Sequence, residues 1–223
     1  MIVPIANVLD AETLGKIREL LEQGTFIDGR QTAGWHARQV KNNAQLQSGE
    51  TARQASALIH QALARSAVFN AAVRPRHIRP MLFSQYSGGQ DYGAHVDDAL
   101  MGSGESLTRS DVSLTVFLGD AESYDGGELV IEGTGGEQSF KLDAGSVITY
   151  PSNTLHYVAP VTSGTREVAV TWVQSLVRDP AHREMLFDLD TARRSLFQRE
   201  GKSREFDLIS KTHANLLRQW AET

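Results

Sequence analysis

The 223-residue chain contains no cysteine. That absence excludes a disulfide framework, a thiol nucleophile, a thiolate zinc site and a thiolate-held iron–sulfur cluster. Any metal held by side chains must use nitrogen and oxygen donors, chiefly His, Asp and Glu. Long apolar runs are missing as well, and none approaches the roughly 20 residues that a membrane span needs. There is no basic surplus: 22 Lys and Arg stand against 27 Asp and Glu, a net charge of −5. Nucleic-acid binders usually carry the opposite balance, so no nucleic-acid partner is expected. The opening residues Met1-Ile2-Val3-Pro4-Ile5-Ala6 show neither the basic nor the long apolar stretch of a secretory signal. The expectation is a soluble cytoplasmic protein. Its length suits one large domain with a core big enough to fold without staples.

The pattern divides the chain into three regions. Residues 1–76 read as helical support. Asp10 caps a helix carrying Leu14, Ile17, Leu20 and Leu21, and Gly24 stops it. Thr25 to Gly34 reads as a loop. A second helix runs from about Gly49 to Ser66, with Ala55, Leu58, Ile59 and Ala62 at helical spacing. Residues 77–177 are rich in glycine and β-branched residues. Short strand-like runs (81–86, 112–118, 128–131, 138–142, 146–150, 156–158 and 167–174) alternate with turn signals such as Ser87-Gly88-Gly89 and Asp125-Gly126-Gly127. Val168, Val170 and Trp172 alternate with Ala169, Thr171 and Val173, so that strand is apolar on both faces and should lie centrally. Residues 178–223 return to helix, with one stripe at Met185, Leu186, Leu189, Ala192, Leu196 and Phe197. A second stripe follows at Phe206, Ile209, His213, Leu216, Leu217 and Trp220, after the break at Gly201-Lys202-Ser203. Such stripes must pack on the β region, on each other or on a second copy in a homo-oligomer. The fold class is mainly β with flanking helices, its core a sandwich, jelly roll or barrel.

One constellation fits the donor restriction. His95 and Asp97 are two apart, which in extended chain places both on one side. If the strand that begins at His156 faces them across a jelly roll, the three form a 2-His-1-carboxylate triad with open positions on a ferrous ion. A lone His-x-Asp is weak evidence in a chain with 7 histidines. Arg166 strengthens it. The hairpin-sized stretch through Pro160 and Ser163-Gly164 should return Arg166 beside His156 on the neighbouring strand. There a guanidinium can hold a carboxylate through two parallel hydrogen bonds. Tyr86 can add a hydroxyl to the same carboxylate. Asp98 reads as outward-facing. Thr171 and Trp172 are candidates for the site wall, with core packing the plainer role for Trp172. His36, His60, His77, His182 and His213 lack a ligand-like partner and read as structural or surface residues.

Two stretches then carry a resemblance. Gln85-Tyr86-Ser87-Gly88-Gly89-Gln90-Asp91-Tyr92-Gly93-Ala94-His95-Val96-Asp97 resembles the iron-binding entry of the prolyl 4-hydroxylase-like dioxygenases. So does Leu155-His156-Tyr157-Val158-Ala159-Pro160-Val161-Thr162-Ser163-Gly164-Thr165-Arg166, and Tyr124-Asp125-Gly126-Gly127-Glu128-Leu129 is similar to the same class. Arg109-Ser110-Asp111-Val112-Ser113, Ser175-Leu176-Val177-Arg178-Asp179 and Leu186-Phe187-Asp188-Leu189-Asp190 narrow it to the bacterial PKHD-type hydroxylases. The resemblance covers nearly the whole chain. It implies a double-stranded β-helix, a jelly-roll core over 77–177 that binds Fe(II) and 2-oxoglutarate and uses dioxygen. His95, Asp97 and His156 would be the iron ligands, Arg166 the 2-oxoglutarate anchor and ascorbate a reductant. The implied reaction is hydroxylation with release of succinate and carbon dioxide.

Other readings stay open at this level. The same triad on another divalent metal would serve a cupin-like isomerase or hydrolase, which needs no dicarboxylate anchor. A β-sandwich binding module would carry these His and Asp side chains merely on its surface. The segment from Asp98 to Arg109 reads equally as a lid or as a disordered connection. The substrate, small molecule or peptide, is not readable from the residues.

Overall fold

A computed structural model describes residues 1–222; Thr223, the last residue of the tail region, lies outside them. Its centre is two antiparallel sheets. In the nine-stranded sheet the order is Val3–Ile5, Val147–Pro151, Val112–Phe117, Val161–Ser175, Leu82–Ser87, Ala44–Leu46 and Phe26–Asp28. Pro75–Ile78 and Tyr124–Gly126 pair with opposite ends of the long strand Val161–Ser175. The five-stranded sheet runs Gly136–Phe140, Leu129–Gly133, His156–Val158, Asp91–His95 and Lys41–Asn42. The long strand lies between two partners, as its two apolar faces require.

Strand alternation sorts the larger sheet into two chemically different faces. Val112, Leu114 and Val116 join Phe83, Ala169 and Val173 in one buried cluster. Against that face pack α1 (Ala11–Glu22), α2 (Glu50–Arg65) and α3 (Ala67–Val73), through Ile17, Leu21, Ile59, Leu63 and Phe69. The intervening residues point between the sheets. There Phe117, Ile148 and Val168 meet Leu129, Ile131 and Val158 of the smaller sheet. Ser113, Thr115 and Arg166 are buried on that same inner side and line a cavity.

Local signals explain the helix limits. The Asp10 carboxylate accepts from the Thr13 amide at 2.8 Å and starts α1. Ser66 closes α2 and caps α3, where it accepts from the Phe69 amide at 3.3 Å. Helix α3 is missing from the sequence reading because the helical period resets at that shared cap. The region 1–76 also supplies strands to both sheets, including Phe26–Asp28 within the expected loop. A three-residue strand is too short to show alternation and forms only because Ala44–Leu46 offers it an edge.

The tail forms α4 (Pro180–Glu200) and α5 (Arg204–Trp220), and Gly201 separates them at a φ of 69°. The expected α4 stripe is only partly buried. Leu186 is enclosed, Met185 and Phe197 are exposed, and Arg183 and Asp190 are buried instead. Polar contacts dock this helix. Arg183 donates to the carbonyls of Val177 at 2.8 Å, Arg178 at 2.7 Å and Asp111 at 3.3 Å. Burial and the neighbouring Arg74 hold His213 below its ordinary pKa, so the neutral ring accepts from Arg74 Nη2 at 2.9 Å. The tail therefore packs on its own chain. The Asp98–Arg109 segment is not structureless either: Leu100–Met101 and Thr108–Arg109 form a ribbon. Arg79 Nη1 pins it by donating to Met101 O at 3.1 Å and to Thr108 Oγ1 at 3.0 Å.

Arg183→Met should cost about 2–3 kcal/mol, because it strands carbonyls that now receive a charged donor. Proteolysis of that variant should cut within 178–222 before the sheets are attacked. A tail as resistant as in the wild type would show that these bonds do not hold it.

Candidate metal centre

Two turns carry the chain from one sheet to the other. Ser87-Gly88-Gly89-Gln90 leads from Leu82–Ser87 in the larger sheet to Asp91–His95 in the smaller, with Gly88 and Gly89 at positive φ. Ala159-Pro160 leads back from His156–Val158 to Val161–Ser175. Each crossing therefore leaves one functional side chain on each sheet. In the smaller sheet His156 pairs in register with His95; in the larger, Arg166 pairs with Tyr86. Two expectations need correction. His156 does not face His95 across the sandwich but lies beside it on the adjacent strand. Arg166 is not on the strand next to His156 but on the opposite sheet. Proline at 160 lacks an amide donor, so the ladder breaks there and the chain changes sheets.

Donor atoms of His95, Asp97 and His156 all lie within 4.8 Å of one another. Asp97 follows His95 by two residues, just past the strand end, and so points to the same side. Both imidazoles are fixed by their other nitrogen. His95 Nδ1 donates to Gly93 O at 2.8 Å, and His156 Nδ1 donates to Thr154 O at 3.0 Å. A carbonyl only accepts, so in each neutral ring Nδ1 carries the proton and Nε2 keeps a free lone pair. Burial and the neighbouring His156 pull the His95 pKa down to about 4, which keeps the ring neutral at physiological pH. The Asp97 carboxylate accepts from Ser113 Oγ, which in turn accepts from Ser152 Oγ at 2.8 Å. Tyr92 stacks on His95 with centroids 3.8 Å apart, and Tyr150 meets His156 edge-on at 5.0 Å. Two neutral nitrogens and one carboxylate form a donor set suited to ferrous ion.

Arg166 is 1% exposed. Its guanidinium carbon sits 5.1 Å from the Tyr86 ring centroid and 5.8 Å from that of Phe117. Among the described residues, Nε and Nη1 have no hydrogen-bond partner. Gly127 makes room for it: a Cβ there would lie 2.9 Å from Arg166 Cδ, and the backbone φ is 69°. Burial raises the Tyr86 pKa, so its hydroxyl stays protonated as a donor. Arg166, Tyr86 and the three metal-donor residues line one cavity of about 450 Å³.

The comparisons with known proteins agree with this geometry. Residues 81–174 match the model of the 2OG-Fe(II) oxygenase superfamily, and residues 181–222 match the PKHD-type hydroxylase C-terminal domain. A PKHD-type hydroxylase of Gloeothece citriformis is 56% identical over 222 residues, covering 100% of both chains. One from Synechococcus elongatus is 56% identical over 223 residues, again covering 100% of both. The chain belongs to the PKHD-type hydroxylases. It is an Fe(II)- and 2-oxoglutarate-dependent dioxygenase that uses dioxygen. Among solved structures, a prolyl-4-hydroxylase of Pseudomonas putida superposes with a TM-score of 0.52 at 18% identity, covering 78% of this chain and 92% of that one. A Trichoplax adhaerens prolyl hydroxylase gives 0.55 at 13% identity, with 78% and 84% covered. These likenesses show the double-stranded β-helix fold.

The remaining residues of the hydroxylase fall into place around the cavity. Thr171 and Trp172 both line it, and Thr171 Oγ1 donates to Arg79 O at 2.7 Å. Asp98 stays outside the donor cluster at the mouth, where its Oδ1 lies 3.7 Å from His36 Nε2. His60, His182 and His213 are engaged with Arg79 O, Trp220 and Arg74 respectively. The sequence reading assigned no role to Tyr92, Ser113, Ser152, Tyr150 or Lys41, all of which flank the donors or the cavity. Tyr92 carried a usable signal, because it lies within the stretch 85–97 that bears the family resemblance. The others come from distant segments and carried none.

Folded metal-free protein binds fewer protons at His95 than the unfolded chain between pH 4 and 6.5. Its stability therefore rises with pH through that window and falls on acidification. Thermal melts of metal-stripped hydroxylase from pH 7 to pH 5 should show the decline, and His95→Gln should flatten it. An unchanged slope in that variant would refute the assignment.

Proposed function

We propose that His95, Asp97 and His156 hold Fe(II), and that Arg166, aided by Tyr86, anchors the distal carboxylate of 2-oxoglutarate. The observation that carries this reading is the fully buried Arg166, with Nε and Nη1 unpaired, in the cavity where the three candidate metal donors converge. A buried cation without a partner is costly, and a dicarboxylate bound to the metal at one end would satisfy it at the other. When bound, iron with 2-oxoglutarate and dioxygen supplies oxidative decarboxylation to succinate and carbon dioxide and hydroxylation of a substrate C–H bond.

The chain's own residues prepare that site. The carbonyls of Gly93 and Thr154 orient the two imidazoles and set their tautomers. Ser113 holds the Asp97 carboxylate in place. Tyr92 and Tyr150 cover the rings and exclude water from one side. Arg166 and Tyr86 orient the cosubstrate. A hydrolase or isomerase has no use for such an anchor, and a binding module has none for the converging donors.

The reading extends to ascorbate as reductant, which the family resemblance supports. It extends to a small molecule or peptide, rather than nucleic acid, as substrate, supported by the acidic balance of the chain. Among the described residues no helix is long and apolar enough to cross a membrane, and we place the protein in the cytoplasm. The exposed Met185 and Phe197 support pairing of copies through the C-terminal helices. We retain the division into a support region 1–76, a catalytic core 77–177 and a tail 178–223.

Anaerobic protein given Fe(II) and 2-oxoglutarate should develop the weak visible charge-transfer band of the chelate. Its absence from folded protein would sink the cosubstrate assignment. Titrating that band in Arg166→Leu should show binding weaker by about 2 kcal/mol, roughly thirtyfold in Kd. Unchanged affinity would reject the anchor.

A further inference from the structure

The cavity holds a second buried cation. Lys41 lies on the edge strand Lys41–Asn42 of the smaller sheet, in register with Tyr92. It is 7% exposed and lines the cavity beside the metal donors. Its Nζ sits 5.3 Å from the Tyr92 ring centroid, and the same ring stacks on His95. Nζ donates to Thr32 Oγ1 at 3.0 Å and to Gln45 Oε1 at 3.2 Å, both neutral acceptors. No Asp or Glu forms an ion pair with it among the described residues; Asp28 and Asp97 attract it only from farther away. An ammonium has three N–H donors, so one remains.

The cosubstrate accounts for one cation only. On the reading above, one end of 2-oxoglutarate lies on the metal and its distal carboxylate meets Arg166 on the larger sheet. Lys41, on the edge of the other sheet, is left without a counter-charge. Burying it is unfavourable unless a ligand supplies one. A single free N–H suits one carboxylate oxygen, whereas a phosphate dianion calls for several donors at once.

We propose that Lys41 anchors a carboxylate of the molecule that is hydroxylated, which makes the substrate an organic acid. The inference rests on the iron and 2-oxoglutarate reading. Lys41 acts in binding and orientation and takes no part in the oxidation itself.

The test uses anaerobic protein loaded with Fe(II) and 2-oxoglutarate, and calorimetry with matched probes: N-acetyl amino acids and their carboxamides. At least one acid should bind, and its amide should bind at least about tenfold more weakly, the scale of a lost charge-assisted bond. Lys41→Met should abolish the preference and Lys41→Arg should keep most of it, while both leave the affinity for 2-oxoglutarate unchanged. The comparison within the wild type stands even if Lys41→Met does not fold. Several results would overturn the proposal: equal binding of acid and amide, no acid bound by the wild type, or an acid preference that survives Lys41→Met. Tighter binding of phenyl phosphate than of any acid would also overturn it. A loss of 2-oxoglutarate affinity in Lys41→Met matching that in Arg166→Leu would make Lys41 a cosubstrate anchor instead. A missing charge-transfer band in the wild type overturns the cosubstrate reading, and the proposal with it, before any acid is added.

Discussion

Two backbone hydrogen bonds hold the crossings of the chain together. Gly89 N donates to Val161 O at 2.7 Å, and Val161 N donates to Gln90 O at 3.0 Å. Residues 89 and 90 belong to the first crossing and Val161 opens the strand after the second. This clamp sets the register in which Tyr86 meets Arg166 in one sheet while His95 meets His156 in the other. A slip of one residue in either ladder would turn its side chain to the far face. The three candidate metal donors and the Arg166 guanidinium thus owe their juxtaposition to a few backbone atoms at the sheet edges.

The larger sheet separates stability from chemistry. Its outer face buries aliphatic and aromatic side chains against three helices, which supplies the apolar burial that folding requires. Its inner face carries Ser113, Thr115 and Arg166, polar groups that a core built for stability alone would omit. A guanidinium with two unpartnered nitrogens and an ammonium without a counter-ion share one cavity. The rest of the fold sustains that cost, and ligands carrying carboxylates would relieve it.

Far from the metal donors, the tail braces the same strands. Arg183 donates to Asp111 O, and the Asp111 carboxylate accepts from Ser175 N at 2.8 Å and pairs with Arg109. Arg109 reaches on to Glu222, beside the end of α5. Asp111 immediately precedes Val112–Phe117, the strand that carries Ser113, and Ser175 ends the strand that carries Arg166. The C-terminal helices are thereby joined to the strands that form the site.

Much was legible in the residues themselves. Zero cysteines restricted any metal site to nitrogen and oxygen donors. The cap at Asp10 and the break at Gly201 marked helix limits, because capping and helix breaking are local effects between near neighbours. His95, Asp97, His156 and Arg166 stood out through spacing and family resemblance. Tertiary structure decided what spacing cannot encode. It placed Arg166 across the sandwich from His156, because Pro160 interrupts the ladder and the chain changes sheets. Only the fold brought Lys41 beside Tyr92 and Ser113 beside Asp97. Those pairs are far apart in sequence and meet through strand register, which is fixed by backbone hydrogen bonds between segments and leaves no mark in either segment alone.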